Sequence, residues 1–291
     1  MCNIDKIEDV LPNNTNPRIA VLIAVHAGAN EEHFDAAVKS IIDQTYTNTH
    51  IYLYADGPLT SGQEDVAAKY LRSDTGQDQF VRGTRPRGLA VGLNCLIEAA
   101  LSDPSIEYFV RMDADDICVP QRFERQVDFM DANRSISVSG TWCIEFSVFG
   151  RPTFHKKLPT TPERISLFMV TRSGLIHPSV IIRREVLEAG HRYNASIIQA
   201  QDLELWCRLL LDGNEFANLP EYLLWYRVAS SSFYSRRAGW SRGWLEVKLH
   251  LTYAWQAKLL RPEHLIKLAL LFILRVSPES VKRFAYARLR R

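Results

Sequence analysis

The chain is poor in cysteine, and what it has is not arranged as a framework. Five of 291 residues are Cys (Cys2, Cys95, Cys118, Cys143 and Cys207), scattered and without a C-x-x-C pair. An odd, dispersed set reads as reduced thiols in a reducing compartment, and excludes a disulfide scaffold and a structural zinc site. A membrane-spanning run is also missing. Leu265–Val276 is the nearest approach. As a helix it rises only about 18 Å, against roughly 30 Å of hydrocarbon in a bilayer. The opening MCNIDKIEDVLPNNTNP has no apolar centre, so no signal peptide is expected and the sequon Asn13-Asn14-Thr15 is expected to be inert. There is no repeat and no low-complexity tract. No sign of charge dominates either: the net charge is +2, and the main part of the chain carries no basic stripe or docking motif for nucleic acid.

With apolar residues at 46% and charged residues at 23%, disordered and fibrous classes drop out. The length suffices for one large domain or two coupled ones. Ile19–Val25 is a continuous, β-branched apolar run of the kind buried on both faces of a parallel sheet. Phe34, Ala37, Val38, Ile41 and Ile42 follow at helical spacing. Ile51–Ala55 is a second strand, ended by Asp56-Gly57-Pro58. Leu93, Leu96, Ile97, Ala100 and Leu101 give another helix, and Ile106–Met112 a third strand that runs into Asp113-Ala114-Asp115-Asp116. Strand, helix, strand, helix, strand predicts a parallel α/β sheet. Ligands of such sheets sit at the carboxyl ends of the strands, where His26, Asp56 and Asp113 fall.

The middle is more mixed. A helix is expected from Pro120, with Phe123, Val127 and Met130 on one face, followed by strands over 136–149. Thr160 and Glu163 fit a capping box. Ser179–Ile182 reads as a short strand, Arg184–Ala189 as a short helix, and Leu203, Trp206, Cys207, Leu210 and Leu211 as one face of a helix closed by Gly213. From Trp240 aromatic and basic residues alternate, and the chain ends rich in Lys and Arg, which suggests an anionic partner such as a lipid surface. Leu265–Val276 either lies in a membrane interface or packs as a buried helix, since its apolar residues go nearly all the way round.

Asp113, Asp115 and Asp116 are the strongest chemical signal. Residues two apart in an extended chain point the same way, so Asp113 and Asp115 can address one ligand. Clustered carboxylates suit a hard divalent cation that also takes substrate phosphates. A merely solvated acidic turn is the plain alternative. A phosphatase of the haloacid dehalogenase type also begins with Asp-x-Asp after a strand, but the Asp116-Ile117 that follows here and the lack of its downstream Lys and paired acids count against it.

Seven stretches, in order over roughly residues 17–235, resemble family 2 glycosyltransferases of the GT-A fold, in particular bacterial enzymes of O-antigen and capsule synthesis. They are Pro17–His26, Ser40–Tyr46, Arg85–Asn94, Arg111–Asp116, His177–Val180, Gln201–Trp206 and Tyr226-Arg227. The resemblance implies an α/β, Rossmann-like, mostly parallel sheet flanked by helices: a GT-A domain over 18–239, divided into a nucleotide-sugar half (18–119) and an acceptor half (120–239). A polar leader (1–17) and a basic helical tail (240–291) flank it.

The resemblance also implies roles. Ala24 and His26 match positions that touch base and ribose, Asp56 the acid that hydrogen-bonds uracil, and Arg85 a nucleotide-side Arg. The family usually has a second Asp where this chain has Ala55. Asp113 faces ribose or sugar, while Asp115, with Asp116, holds Mn²⁺ or Mg²⁺. Asp202 matches the general base of an inverting transfer, with Gln201 where the family often has Glu. From position alone Asp202 also reads as a helix N-cap. His177 lines the acceptor pocket or is structural. Arg227 clamps the diphosphate or makes a surface ion pair. Trp206 stacks on a sugar or belongs to the core.

The substrates implied are a UDP-hexose and a lipid-linked saccharide, at the cytoplasmic face of the inner membrane, with the tail on the lipid surface and no nucleic acid partner. A non-catalytic scaffold that keeps the fold to bind membrane or partner subunits is the competing expectation. A nucleotidyltransferase is disfavoured, because His26-Ala-Gly-Ala is a poor phosphate loop.

Overall fold

Ile19, Ala20, Val21, Leu22 and Ile23 are all buried, because both faces of their strand are covered. The computed structural model, which describes residues 16–72, 76–228, 239–282 and 285, places them in β1 (Arg18–Val25). Strand side chains alternate between faces. Ala20 and Leu22 therefore join one core, with α3 (Leu89–Leu101), and Ile19, Val21 and Ile23 join another, with α1 (Glu31–Ile42). The result is a sheet between two helical layers. Most of the polar leader, including the sequon, lies outside the described residues, as do the basic residues after 285.

β1 pairs in parallel with β2 (Thr49–Ala55) on one side and β4 (Ile106–Asp113) on the other, and β3 (Gln79–Arg82) extends the parallel part beyond β2. The second half is mixed. β4 is followed across the sheet by β8 (Ile181–Arg183), β6 (Ile136–Val148), β9 (Glu215–Arg227) and β5 (Ile117–Cys118), with β7 (Arg151–Lys156) paired on β6. Of these later pairings only β6 with β9 is parallel.

This order forces the sheet to curl. Four strand spacings separate β4 from β5, about 19 Å in a flat sheet at about 4.8 Å each. Only residues 114–116 connect Asp113 to Ile117, a reach of at most about 14 Å. The acidic segment is thus a short tie across the curled edge, anchored by the Val119 N–H to the Leu223 carbonyl at 3.0 Å.

Two local readings change. The helix α5 (Pro162–Phe168) takes Thr161, not Thr160, as N-cap, with no side-chain capping bond, because Pro162 sets its first turn. The capping box with both bonds lies instead at Thr60 and Gln63, opening α2 (Ser61–Tyr70). Asp202 is not the N-cap of α7 (Gln201–Leu211); Ala200 holds that position at φ +58°, and Asp202 is in the first turn.

Between Trp240 and Val276 the chain forms two helices. α8 (Trp240–Gln256) buries Tyr253 and Ala254 in the core that contains α7. His250 Nδ1 donates to the Met169 carbonyl (2.7 Å), and the Tyr253 and Ser166 hydroxyls bond at 2.7 Å. α9 (Pro262–Val276) crosses α8 at Gly243, where an added Cβ would lie 3.0 Å from the Arg275 Cβ. Only His264 and Leu268 of α9 are buried, so it is not the helix packed on all sides that its composition allowed. No helix among the described residues is long and apolar enough to cross a membrane.

Candidate active site

The tie between β4 and β5 brings three carboxylates together. Asp113, Asp115 and Asp116 each offer an oxygen within 4.8 Å of the others. Arg111, on β4 and almost fully buried, forms an ion pair with Asp113. Asp116 is fully buried. Its Oδ1 accepts the Arg227 backbone N–H at 2.7 Å, while its Oδ2 has no hydrogen-bond partner. Burial, and then the charges of Asp113 and Asp115, push its pKa well above the usual carboxylate range. A buried, orphaned carboxylate oxygen beside two more carboxylates suits an all-oxygen divalent site. The group therefore fits a cation such as Mn²⁺ or Mg²⁺. The structure uses Arg227 to brace this turn. Besides its backbone bond, its Nε donates to the Asp115 carbonyl at 2.7 Å, and its guanidinium lies 4.5 Å from the Phe146 ring centre.

The nucleotide-side candidates follow from strand register. Ala24 pairs with Tyr54 on one side and Asp113 on the other, and the Asp56 N–H donates to the Val25 carbonyl at 2.8 Å. Ala24, Asp56 and Asp113 thus share one edge. His26, exposed just beyond β1, accepts the Gly28 N–H on Nδ1 at 3.0 Å. The Asp56 carboxylate accepts the N–H groups of Arg87 (2.6 Å) and Gly88 (3.0 Å). It thereby ties down the loop that carries exposed Arg85. Fully buried Gln63 holds the loop after β1 by donating to the Ala29 carbonyl at 2.8 Å.

Asp113 also lines a cleft of about 530 Å³ with His177, Gln201, Asp202 and Tyr226. Asp202 stands there because left-handed Ala200, itself in the cleft wall, turns the chain into α7. Burial raises the Asp202 pKa; the Leu203 N–H and the Arg242 charge oppose it. His177 opens a short 3-10 turn, and its Nε2 is 2.8 Å from the Tyr193 hydroxyl. Burial, and then Arg111, hold its pKa well below the usual imidazole value, so it is neutral. Trp206 does not reach the cleft. It is fully buried, edge-on to His177 and Phe216, so it supports His177 and cannot stack on a sugar.

Several cleft residues gave no signal as such in the sequence. Lys156 of β7 and Arg242 of α8 both line the cleft, and Tyr193 positions His177. Arg242 Nε donates to Glu246 at 2.8 Å, and Arg275 Nε donates to the other oxygen at 2.6 Å. Only the i, i+4 spacing of Arg242 and Glu246 was visible beforehand.

Comparison with known proteins agrees with this geometry. The chain is 28% identical over 272 residues to the amylovoran biosynthesis glycosyltransferase AmsE of Erwinia amylovora, covering 92% of this chain and 97% of that protein. It is 24% identical over 276 residues to an Escherichia coli UDP-Gal:alpha-D-GlcNAc-diphosphoundecaprenol beta-1,3-galactosyltransferase, covering 94% and 97% respectively. Among solved structures, residues 1–349 of S. aureus TarS in complex with UDP superpose with a TM-score of 0.63 at 16% identity, over 93% of this chain and 78% of that one. A Pyrobaculum calidifontis mannosyltransferase in complex with GDP-Man and Mn²⁺ gives 0.61 at 15% identity, over 98% and 84%. These two establish a shared fold. The family model described as Glycosyl transferase family 2 matches residues 21–190, more than half of the chain, and the protein therefore belongs to that glycosyltransferase family.

Proposed function

We propose that this glycosyltransferase moves a hexose from a UDP-sugar to a lipid-linked saccharide, with inversion at the anomeric carbon, in the synthesis of a bacterial surface polysaccharide. The observation that carries the reading is that Asp113, of the acidic cluster, and Asp202 line one cleft. An inverting transfer needs a leaving diphosphate on one side of the sugar and a single base on the other. Ala24, His26, Asp56 and Arg85 hold the nucleoside. Asp115 and Asp116, with Asp113, would hold a divalent cation, which when bound neutralises charge on the departing diphosphate. Arg227 keeps that turn in place and adds positive charge on the diphosphate side.

Asp202 takes the proton from the acceptor hydroxyl as its oxygen bonds to the anomeric carbon and the bond from that carbon to the UDP oxygen breaks. His177, held by Tyr193, is a neutral hydrogen-bonding group for the acceptor. The E. coli relative, whose name specifies a diphosphoundecaprenol-linked acceptor and matches along nearly its whole length, supports the lipid-linked choice. That acceptor puts the reaction at the cytoplasmic face of the membrane that holds it.

The test is calorimetric titration of UDP and of GDP, each with and without Mn²⁺, into wild type and Asp115→Ala. UDP binding that needs the cation and disappears in the variant is expected. A folded protein that binds neither nucleotide overturns the reading in favour of a scaffold, and preference for GDP overturns the choice of donor.

A further inference from the structure

Along α8, Trp240, Trp244, Lys248, Leu251 and Trp255 are exposed. They fall within a single arc of the helix at about 100° per residue. The three tryptophans are 72%, 65% and 73% exposed, although burial of such side chains is strongly favourable. α9 carries a second stripe, Ile266, Leu270 and Ile273, all more than half exposed. Phe272 joins the two, with the Trp240 ring edge-on at 5.1 Å and Trp244 at 6.5 Å. The opposite faces are committed to the protein through buried Tyr253, His250 and the Glu246 ion pairs. The stripes are therefore a preformed apolar ridge and not a frayed end. Apolar patches of this kind mark interaction surfaces.

The charges beside the ridge select its partner. Lys248, Lys258, Arg261 and Lys267 are exposed between Trp240 and Val276, against Glu263 as the exposed acid; the other acid, Glu246, is buried in its ion pairs. Tryptophan at the rim of an apolar stripe with Lys and Arg beside it is the composition of an element lying in a lipid headgroup layer. We propose that the joined faces of α8 and α9 dock on an anionic bilayer, with Trp244, Trp255, Ile266 and Leu270 entering the headgroup region. The choice of a bilayer rests on the lipid-linked acceptor reading. It gives that reading a geometry: Arg242, two residues from Trp240 and on the opposite face of the docking helix, is in the cleft wall, so docking holds the cleft one helix diameter (~10 Å) from the surface from which such an acceptor projects.

The test is flotation of the full chain with phosphatidylglycerol/phosphatidylcholine vesicles and with phosphatidylcholine vesicles. Wild type is compared with the combined variant Trp244→Ser, Trp255→Ser, Ile266→Ser and Leu270→Ser. All four sites are exposed, so the fold is expected to persist, and unchanged UDP binding and circular dichroism check this. Wild type should float with the anionic vesicles, and the variant should lose at least about tenfold in partitioning, since each apolar side chain withdrawn from lipid removes a substantial transfer term. Retained flotation of the variant overturns the proposal, because some other segment is then the contact. Equal flotation on neutral vesicles overturns the choice of an anionic partner. A wild-type dimer that becomes monomeric in the variant, with no flotation of either, assigns the ridge to a second copy and also overturns it. Flotation without UDP binding sinks the transferase reading alone; UDP binding without flotation sinks this one alone.

Discussion

Asp202 sits where two opposing influences meet. Burial raises its pKa, and the Leu203 N–H and the Arg242 charge pull it back. Only the charged carboxylate can accept a proton, so transfer is expected to fall as pH drops through the Asp202 pKa. That acid limb should lie above the ordinary Asp value of about 3.9, and Arg242→Gln, which removes one opposing charge, should move it to higher pH in a kcat/KM profile. His177 contributes no such limb, because burial keeps it neutral. Asp202→Asn should lower kcat by about 10²- to 10⁴-fold, the usual worth of a general base, with UDP affinity unchanged by calorimetry. At this scale the carboxylates were legible because their chemistry is local to a motif. Arg242 was not, because its position in the cleft depends on α8 folding back onto α7. Trp206 shows the reverse: helical spacing left core and sugar-stacking open, and only its full burial decided for the core.

Between elements, the closest approaches are the most sensitive. α3 lies on β2 at Gly92, where a Cβ would come 2.4 Å from the Tyr54 ring. Gly92→Ala must push the helix or the ring away, at about 1–3 kcal/mol by urea unfolding, in line with other overpacked contacts. α8 and α9 are joined by Glu246. Burial alone would raise its pKa, but the guanidiniums of Arg275 and Arg242 more than reverse this and hold it below the usual value. A depressed carboxylate contributes stability above its unfolded pKa, about 4.3 for Glu, and that contribution is lost as pH falls through the folded value. Glu246→Gln should therefore cost about 2–3 kcal/mol near neutrality, at the low end for breaking a buried pair because both Arg side chains keep some exposure. The deficit relative to wild type should shrink on acidification below about pH 4.

Elements with long apolar runs, β1, β2 and β4, were readable from those runs. β3 was not, being four half-exposed or exposed residues at a sheet edge, and α2 buries only Gln63, Val66 and Ala67. β9 was hidden by Pro220, which interrupts its pattern within the strand.

At the scale of the molecule, the composition shift at Trp240 marked off a basic helical tail, and Tyr253 and Ala254 of α8 belong to the same core as Trp206 and Leu209. Deleting residues 240–291 should therefore strip Tyr253 and Ala254 from that core, uncover Cys207 beside Tyr253 and give an insoluble or molten product, whereas deleting 261–291 should leave a folded protein with weakened Glu246 pairing; circular dichroism and size-exclusion chromatography distinguish the two. The parallel half of the sheet was legible because β1, β2 and β4 are apolar runs that alternate with helices, the pattern of a parallel sheet. The mixed half was not, since β8, β6, β9 and β5 are ordered by long-range pairing.

The tie between β4 and β5 has a kinetic consequence. Asp113 comes from the middle of the sheet, and Asp116 is fixed by Arg227 at the far end of β9. The acidic cluster is complete only once the last strands have closed the curl. A chain with β1 to β4 assembled but β9 undocked would have most of its secondary structure and no cation site. In refolding, recovery of helical signal should thus run ahead of recovery of cation-dependent nucleotide binding, and the interval between them measures the closure of the sheet.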